Sequence, residues 1–421
     1  MTAEPEVLIV GAGLAGLACG KRLAECGVPF QILEAADAVG GRYRTDLVEG
    51  FRLDRSFPFF LTASPEARRV LDIEALDLKP FSRAILVRFG GKFHRLADPR
   101  FEPFAAAKSL LNPIGSLRDK LRMVRLFWEI DRGNLEHQLA KNERLTLDLL
   151  RWNGKFSAAM IDRFFRPLAG MLLHDRSLAT SSRLFRFAFR MLAEGPVAVP
   201  ALGMQAIPDQ LVGRLPANSV RLGAIVEQLG HREVTLTSGE TIRARAVVIA
   251  TEASGAAKLI GDSCPDPGSR ENLLLHYAAD QAPCSEPIPM LNGEGQGPVN
   301  HLAVLPKSSP LAGRDSDGSS LIAAGVVGSA DDDAELDRKV RTQLAEWFGP
   351  QVSGWQLLRV SRSIVPDQTA GTLEPWQRPV RLQPGLYVCG MHRDNATIDG
   401  ALTSGFRAAQ AVMEDLHAKR A

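Results

Sequence analysis

Cysteine is scarce in this sequence. The five residues, Cys19, Cys26, Cys264, Cys284 and Cys389, are scattered, odd in number and without a C-x-x-C pair. That pattern excludes a disulfide framework or a zinc site and fits a reducing cytoplasm. No apolar run nears the ~18–20 residues that a spanning helix needs, so any membrane contact is peripheral. The first six residues carry acids where a signal peptide needs bases, and Val7–Val10 runs straight into glycine, so no leader is read. Net charge is only +2, and no basic motif of a nucleic-acid binder stands out. His94, His174, His276 and His301 have no metal-ligand spacing, so no metal is expected and each is read as structural. Internal repeats and low-complexity tracts are lacking too.

What is present describes an ordinary globular protein. At 421 residues, with 45% hydrophobic and 23% charged content, the chain is long enough for two or three packed domains. Charge is unevenly spread, with 21 Lys+Arg against 10 Asp+Glu between Arg83 and Arg190, which leaves the rest acidic. A basic face there suits an anionic substrate, an acidic lipid surface or a partner, or is simply solvated.

The N-terminus carries the clearest motif. Val7–Val10 reads as a parallel strand buried on both faces, a helix follows with Leu14, Leu17, Ala18 and Leu23 on its apolar stripe, and Phe30–Leu33 forms the next strand, ending on Glu34. Between the first strand and the helix lies Gly11-Ala12-Gly13-Leu14-Ala15-Gly16. Gly11 permits the tight turn, Gly13 lets backbone approach a pyrophosphate at the helix N-terminus, and Gly16 allows close helix–strand packing. Glu34, 18 residues after Gly16, is placed to accept both hydrogens of a ribose diol, which argues against a 2′-phosphate. A dinucleotide is expected, FAD or NAD. Val39-Gly40-Gly41-Arg42 then adds a second glycine pair and a guanidinium able to meet phosphate bidentately.

With that segment the chain resembles the flavin-containing amine oxidase, phytoene desaturase and protoporphyrinogen oxidase superfamily. The resemblance recurs at Gly203-Met204-Gln205-Ala206-Ile207-Pro208, at Val226, where relatives bring backbone to adenine, and at the strand-ending Ala250-Thr251. It recurs again at Leu386–Gly390 and at Ala396 to Gly405, where Thr397, Ile398 and Ala401 open a helix facing the flavin pyrimidine. Two residues depart from the pattern: Met391 follows Gly390 where an acid usually binds the ribityl chain, and Ser56 replaces the glycine of Asp-x-Gly. Restoring an acid at 391 is expected to tighten FAD binding. The resemblance implies an α/β fold, a Rossmann-like (GR2-type) domain with an inserted α+β substrate domain, and non-covalent FAD. Because both ends of the chain carry pieces of one cofactor site, the FAD domain is expected over 1–62, 197–263 and 366–421, and the substrate domain over 63–196 and 264–365.

Chemistry is harder to place. The polar cluster His392, Arg393 and Asp394 follows the last strand and is the catalytic candidate, while Lys307 is a weaker candidate for the flavin-proximal lysine of amine oxidases. The stretch from Ser64 to Glu194 reads as mostly helical. Within it, Arg183, Arg186 and Arg190 beside Leu184, Phe187 and Met191, and the run from Lys108 to Arg125, read either as membrane-surface helices or as core-facing helices with a solvated edge. Two functions follow: an FAD-dependent oxidoreductase of a lipophilic or amine-like small molecule, with peripheral membrane contact through 83–190, or a flavin-fold protein with a binding role.

Overall fold

A computed structural model describes residues 5–131, 139, 143–306, 319–369, 371 and 375–418. The strands β1 (Val7–Val10) and β2 (Phe30–Leu33) flank helix α1 (Leu14–Glu25), and the three form a β-α-β unit. Every β1 side chain is buried because both sheet faces are covered, Val7 and Ile9 packing with Leu14, Leu17 and Ala18 of α1 and Leu8 and Val10 with Val234, Leu236 and Ala256, while β1 pairs in parallel with β2 and with Ala246–Ile249 along its edges. The complete sheet has six strands in the order Val220–Arg221, β2, β1, Ala246–Ile249, Leu386–Val388 and Arg381–Gln383, the last antiparallel. Its strands therefore come from three stretches far apart in the chain. The last helix, Ile398–Ala418, crosses α1 at close quarters, since a Cβ at Gly405 would lie 2.2 Å from the Ala15 carbonyl oxygen.

Between Val220 and Val226, an apolar stretch that reads as one strand in the sequence, the strand is interrupted. After Arg221 the backbone turns, with Gly223 at φ +66°, and the Gly223 and Ala224 N–H groups donate to the Ala36 and Glu34 carbonyls at 3.0 and 2.8 Å. Val226 instead starts a separate three-stranded antiparallel sheet, Val226–Gly230, Glu233–Leu236 and Thr241–Arg243.

A second large sheet has seven strands, ordered Gln356–Pro366, Ser269–Ala279, Ser320–Val327, Val299–Val304, Met290–Asn292, Ile85–Phe89 and Lys92–Leu96. Two of these correct the expected helical middle: Ile85–Phe89 and Lys92–Leu96 form a hairpin around Gly90 and Gly91, both at positive φ. Leu78–Pro80 is also a strand, pairing with Val197–Pro200. Against the seven-stranded sheet packs the helical cluster that contains Phe164, Phe165, Leu168, Phe185 and Phe189. The helix Ser182–Glu194 belongs to that core. Leu184, Phe185, Phe187, Phe189 and Met191 are buried, and Arg183 is buried as well, 3.8 Å from Glu143. Its core-facing reading is the one observed.

Asp54, at the end of the hairpin Thr45–Val48 and Phe51–Asp54, ties that hairpin to the Gly203-Met204 turn. One oxygen accepts from the Thr45 hydroxyl and from Met204 N at 2.9 Å, while the other is buried without a partner among the described residues. Burial pushes this carboxyl up to about 7, only partly opposed by those two hydrogen bonds. A folded pKa above the unfolded one means that the fold holds the proton more tightly, so the contribution to stability is full below about pH 4 and is lost as pH rises through about 7. The loss between pH 5 and 8 is on the order of 2 kcal/mol. In Asp54→Asn that component of the pH dependence should disappear; thermal melts at the two pH values compare the slopes.

Candidate active site

The Gly11–Gly16 loop is shaped by two close approaches. Gly11 sits at φ +108° and donates its N–H to the Leu33 carbonyl at 2.7 Å, and a Cβ at Gly16 would lie 2.0 Å from the Gly11 carbonyl oxygen. Gly13 is different: a Cβ there would meet nothing within 4 Å, and as N-cap of α1 it offers no side-chain cap. Gly13, Leu14 and Ala15, at the start of α1, line a groove, and a helix N-terminus beside open space is the arrangement that receives an anion. The second loop is fastened to the first by Gly40 N donating to the Ala12 carbonyl at 2.9 Å. A groove runs between them, lined by Gly13, Leu14, Ala15, Gly40, Gly41, Arg42, Thr251, Gly390, Met391, His392 and Ala401 among others. These residues are supplied by four separated stretches of chain.

Glu34 follows the end of β2, beside the first loop. Its two carboxylate oxygens accept from Ala12 N at 2.6 Å and Ala36 N at 2.9 Å. Each oxygen keeps lone-pair capacity for one further donor, and the residue is only half-buried. Val226, also half-buried, packs on the same side of the sheet as Leu33 and Ala224.

At the opposite end the groove continues into a recess through Arg42, Tyr43 and Met391, which line both. The recess is walled by Thr397 and Ile398 at the start of the last helix, by Ser56, Phe57, Phe59 and Leu61, and by Met171, Leu172 and His174. Thr397 caps that helix, its hydroxyl accepting from Gly400 N at 3.2 Å.

Of the three catalytic candidates, His392 alone lines the groove. Burial, then the Arg393, Arg378 and Arg42 charges, hold its imidazole neutral, with the pKa lowered to about 3. Arg393 and Asp394 line neither groove nor recess. Asp394 is buried, accepts from the Asn395 amide at 2.9 Å and lies 3.4 Å from Arg407, and the Arg393 carbonyl accepts from Arg378 N at 3.0 Å. Those bonds hold the turn before the last helix. Lys307 lies outside the described residues. His174, read as structural, stands in the recess wall as the left-handed C-cap (φ +54°) of helix Arg166–Leu173. Burial and the nearby Arg42 charge lower its pKa to about 4, so it is neutral at pH 7. Nothing local in the sequence marks it, because the fold alone brings residue 174 to residue 42.

Met391 is explained by its surroundings. Its sulfur accepts from Arg42 Nη1 at 2.9 Å, and Arg42 Nη2 lies 3.5 Å from Glu252. That contact favours the opposite sign for the acid substitution from the one expected from sequence: in Met391→Asp the new carboxylate would pair with Arg42 and withdraw its charge from the groove. Weaker FAD binding by about tenfold is expected, the size of one charge-assisted hydrogen bond lost, and flavin titration of the two proteins measures it.

Beyond the recess lies a cavity of ≈ 430 Å³. Its wall is mostly apolar, with Met123, Phe127, Met160, Phe164, Leu168 and Phe189, and Met171 lines both cavity and recess.

The sequence model of the family described as "Flavin containing amine oxidoreductase" matches residues 14–413. Hydroxysqualene dehydroxylase of Rhodopseudomonas palustris is 27% identical across 97% of this chain and 98% of its own length. Polyamine oxidase 7 of Oryza sativa is 43% identical, but over only 13% of this chain and 11% of its own length. An oxidoreductase from Methanosarcina mazei has the same fold, with a TM-score of 0.72, 16% identity, and 97% of this chain and 99% of that one covered.

Proposed function

Because the chain belongs to the flavin containing amine oxidoreductase family, and so is an FAD-dependent oxidoreductase, we propose that its substrate is a lipophilic small molecule delivered through the ≈ 430 Å³ cavity to the recess at Met171. That meeting of cavity and recess carries the reading. The FAD domain is assigned to 1–62, 197–263 and 366–421 and the substrate domain to 63–196 and 264–365.

Non-covalent FAD fits the chain's residues from end to end. Glu34 takes the ribose hydroxyls, the α1 N-terminus with Gly13, Gly40, Gly41 and Arg42 takes the diphosphate, and Gly390, Met391, Thr397, Ile398 and Ala401 support the flavin end. The bound cofactor supplies the hydride chemistry. The protein's share is to orient the substrate and exclude water. Phe57, Phe59 and Leu61 keep the recess dry, and the neutral His174 offers a hydrogen bond to a polar substituent.

An amine substrate is disfavoured by charge. Among the described residues the recess lining contains no carboxylate, whereas Arg42 lies in its wall, and Asp98, the acid of the cavity lining, is paired with Arg100 at 2.6 Å. An ammonium group would meet a like charge there. Hydroxysqualene, in the name of the relative matched along nearly the whole chain, is the first compound to test. Hydroxysqualene should shift the visible band of the oxidised holo-protein and, added anaerobically after the flavin has been reduced with dithionite, should restore that band, because replacing C–OH by C–H with loss of water consumes a hydride; polyamines should leave the oxidised band unbleached. A response to polyamines alone would overturn the reading, and a protein that takes up no FAD would leave only a binding role.

A further inference from the structure

Among the described residues, eight of the fourteen exposed large hydrophobic side chains fall within 101–128. Phe104 is 88% exposed, Leu111 91%, Leu121 63% and Trp128 57%. In a water-soluble setting such crowding is costly, and contiguous exposed apolar surface marks a contact site. The helix Leu117–Asp131 has two apolar faces. Leu126 and Ile130 are buried against the helical core, while Leu117, Leu121, Val124 and Trp128, at helical spacing, form an outer stripe. Exposed Arg118 flanks that stripe together with Arg125, which is paired with exposed Glu129 at 2.7 Å, and exposed Lys108 lies in the neighbouring helix Pro103–Ser109.

This patch is also the rim of the apolar cavity. Pro103, Ala107, Leu110 and Val124 line the cavity and are themselves exposed. The way in from outside therefore passes between the same two helices that carry the apolar stripe and the cations.

We infer that residues 101–128 form a docking face for an anionic lipid bilayer, into which Phe104, Leu111 and Leu121 insert, so that the cavity opens toward the lipid. Charge complementarity selects this occupant, because cations beside inserted apolar side chains are what an acidic bilayer surface attracts. A second copy of this chain would bring the same cations against one another. The lipid then serves as the reservoir of the lipophilic substrate, and to that extent the inference rests on the substrate reading above. Within the basic stretch 83–190 the contact is confined to this face, since the Arg183–Arg190 helix points into the core.

The test uses the holo-protein and vesicles without substrate. Flotation with vesicles of phosphatidylcholine alone is compared with flotation on phosphatidylcholine mixed with phosphatidylglycerol. The protein should float with the anionic vesicles and not with the neutral ones. Binding should fall by about tenfold or more in Phe104→Ser/Leu111→Ser/Leu121→Ser and in Lys108→Glu/Arg118→Glu, with flavin absorbance and melting temperature unchanged. Absence of binding, equal binding to neutral vesicles, or a dimer that the triple variant dissolves would each overturn it. A flavin response to hydroxysqualene surviving any of these failures would show that the docking face alone is wrong.

Discussion

Gly16→Ala should cost the protein both its FAD and a large part of its stability, whereas Gly13→Ala, three residues away, should cost FAD alone. A methyl at position 16 would stand 2.0 Å from the Gly11 carbonyl oxygen and 3.2 Å from the Ala250 side chain. Backbone sits on one side and a core strand on the other, so neither can give way cheaply. The first turn of α1 has to shift outward, and overpacking of this kind costs about 3 kcal/mol. The N–H groups at the helix start are carried with it, so the diphosphate site is lost too. At position 13 a methyl meets no protein atom within 4 Å, and the backbone, at φ −72° and ψ 176°, suits alanine. The apo-protein should melt at its usual temperature. The added methyl projects into the space that the diphosphate needs, and FAD should bind about tenfold or more weakly, as for the loss of a charge-assisted hydrogen bond. Melting curves of both apo-variants with FAD titrations would separate the two effects. Equal melting temperatures in Gly16→Ala and the parent would refute the packing argument.

Glu34→Ala carries the second largest expectation. The lost bonds to the ribose hydroxyls are worth about 1.5–3 kcal/mol for a charged acceptor, roughly ten- to a hundredfold in FAD affinity. The carboxylate has a second task, because it accepts from Ala12 N and Ala36 N. Removing it also loosens the phosphate loop, so the affinity loss should sit at the upper end of that range, with a fall in apo-protein melting temperature as well. Glu34→Gln keeps one acceptor oxygen and should recover part of both. If FAD binds Glu34→Ala and the parent equally, the ribose assignment is wrong.

The nucleotide half of the fold is legible in the sequence because its signals are local. An apolar run ended by glycine, a helix stripe and an acid at the next strand end lie within Val7–Glu34, and each has a short-range physical cause. The substrate half is written differently. The hairpin strands Ile85–Phe89 and Lys92–Leu96 are mostly half-buried at the edge of the sheet, so their pattern is diluted and merges with the helices that follow. Likewise, Val220–Val226 reads as one strand because the turn at Gly223 is held by tertiary hydrogen bonds to Ala36 and Glu34. His174 and Met391 show the same limit at the site. What they do depends on Arg42, and the chain separations of 132 and 349 residues leave no local trace.

The order of strands in the six-stranded sheet has a consequence for how the protein is made. β1 finds its partner Ala246–Ile249 only after more than half the chain has been synthesised, and Leu386–Val388 and the helix that packs on α1 arrive later still. The apolar strands at the start must wait, unpaired on one edge, while the intervening stretch emerges. Such long-range pairing folds slowly and leaves edges exposed to misassembly. The cofactor groove, whose walls include Gly390 and Ala401, is complete only at the end of that sequence of events. FAD capture is thus a late step in biogenesis, and a shortage of the cofactor during synthesis would strand a nearly finished chain with its groove open.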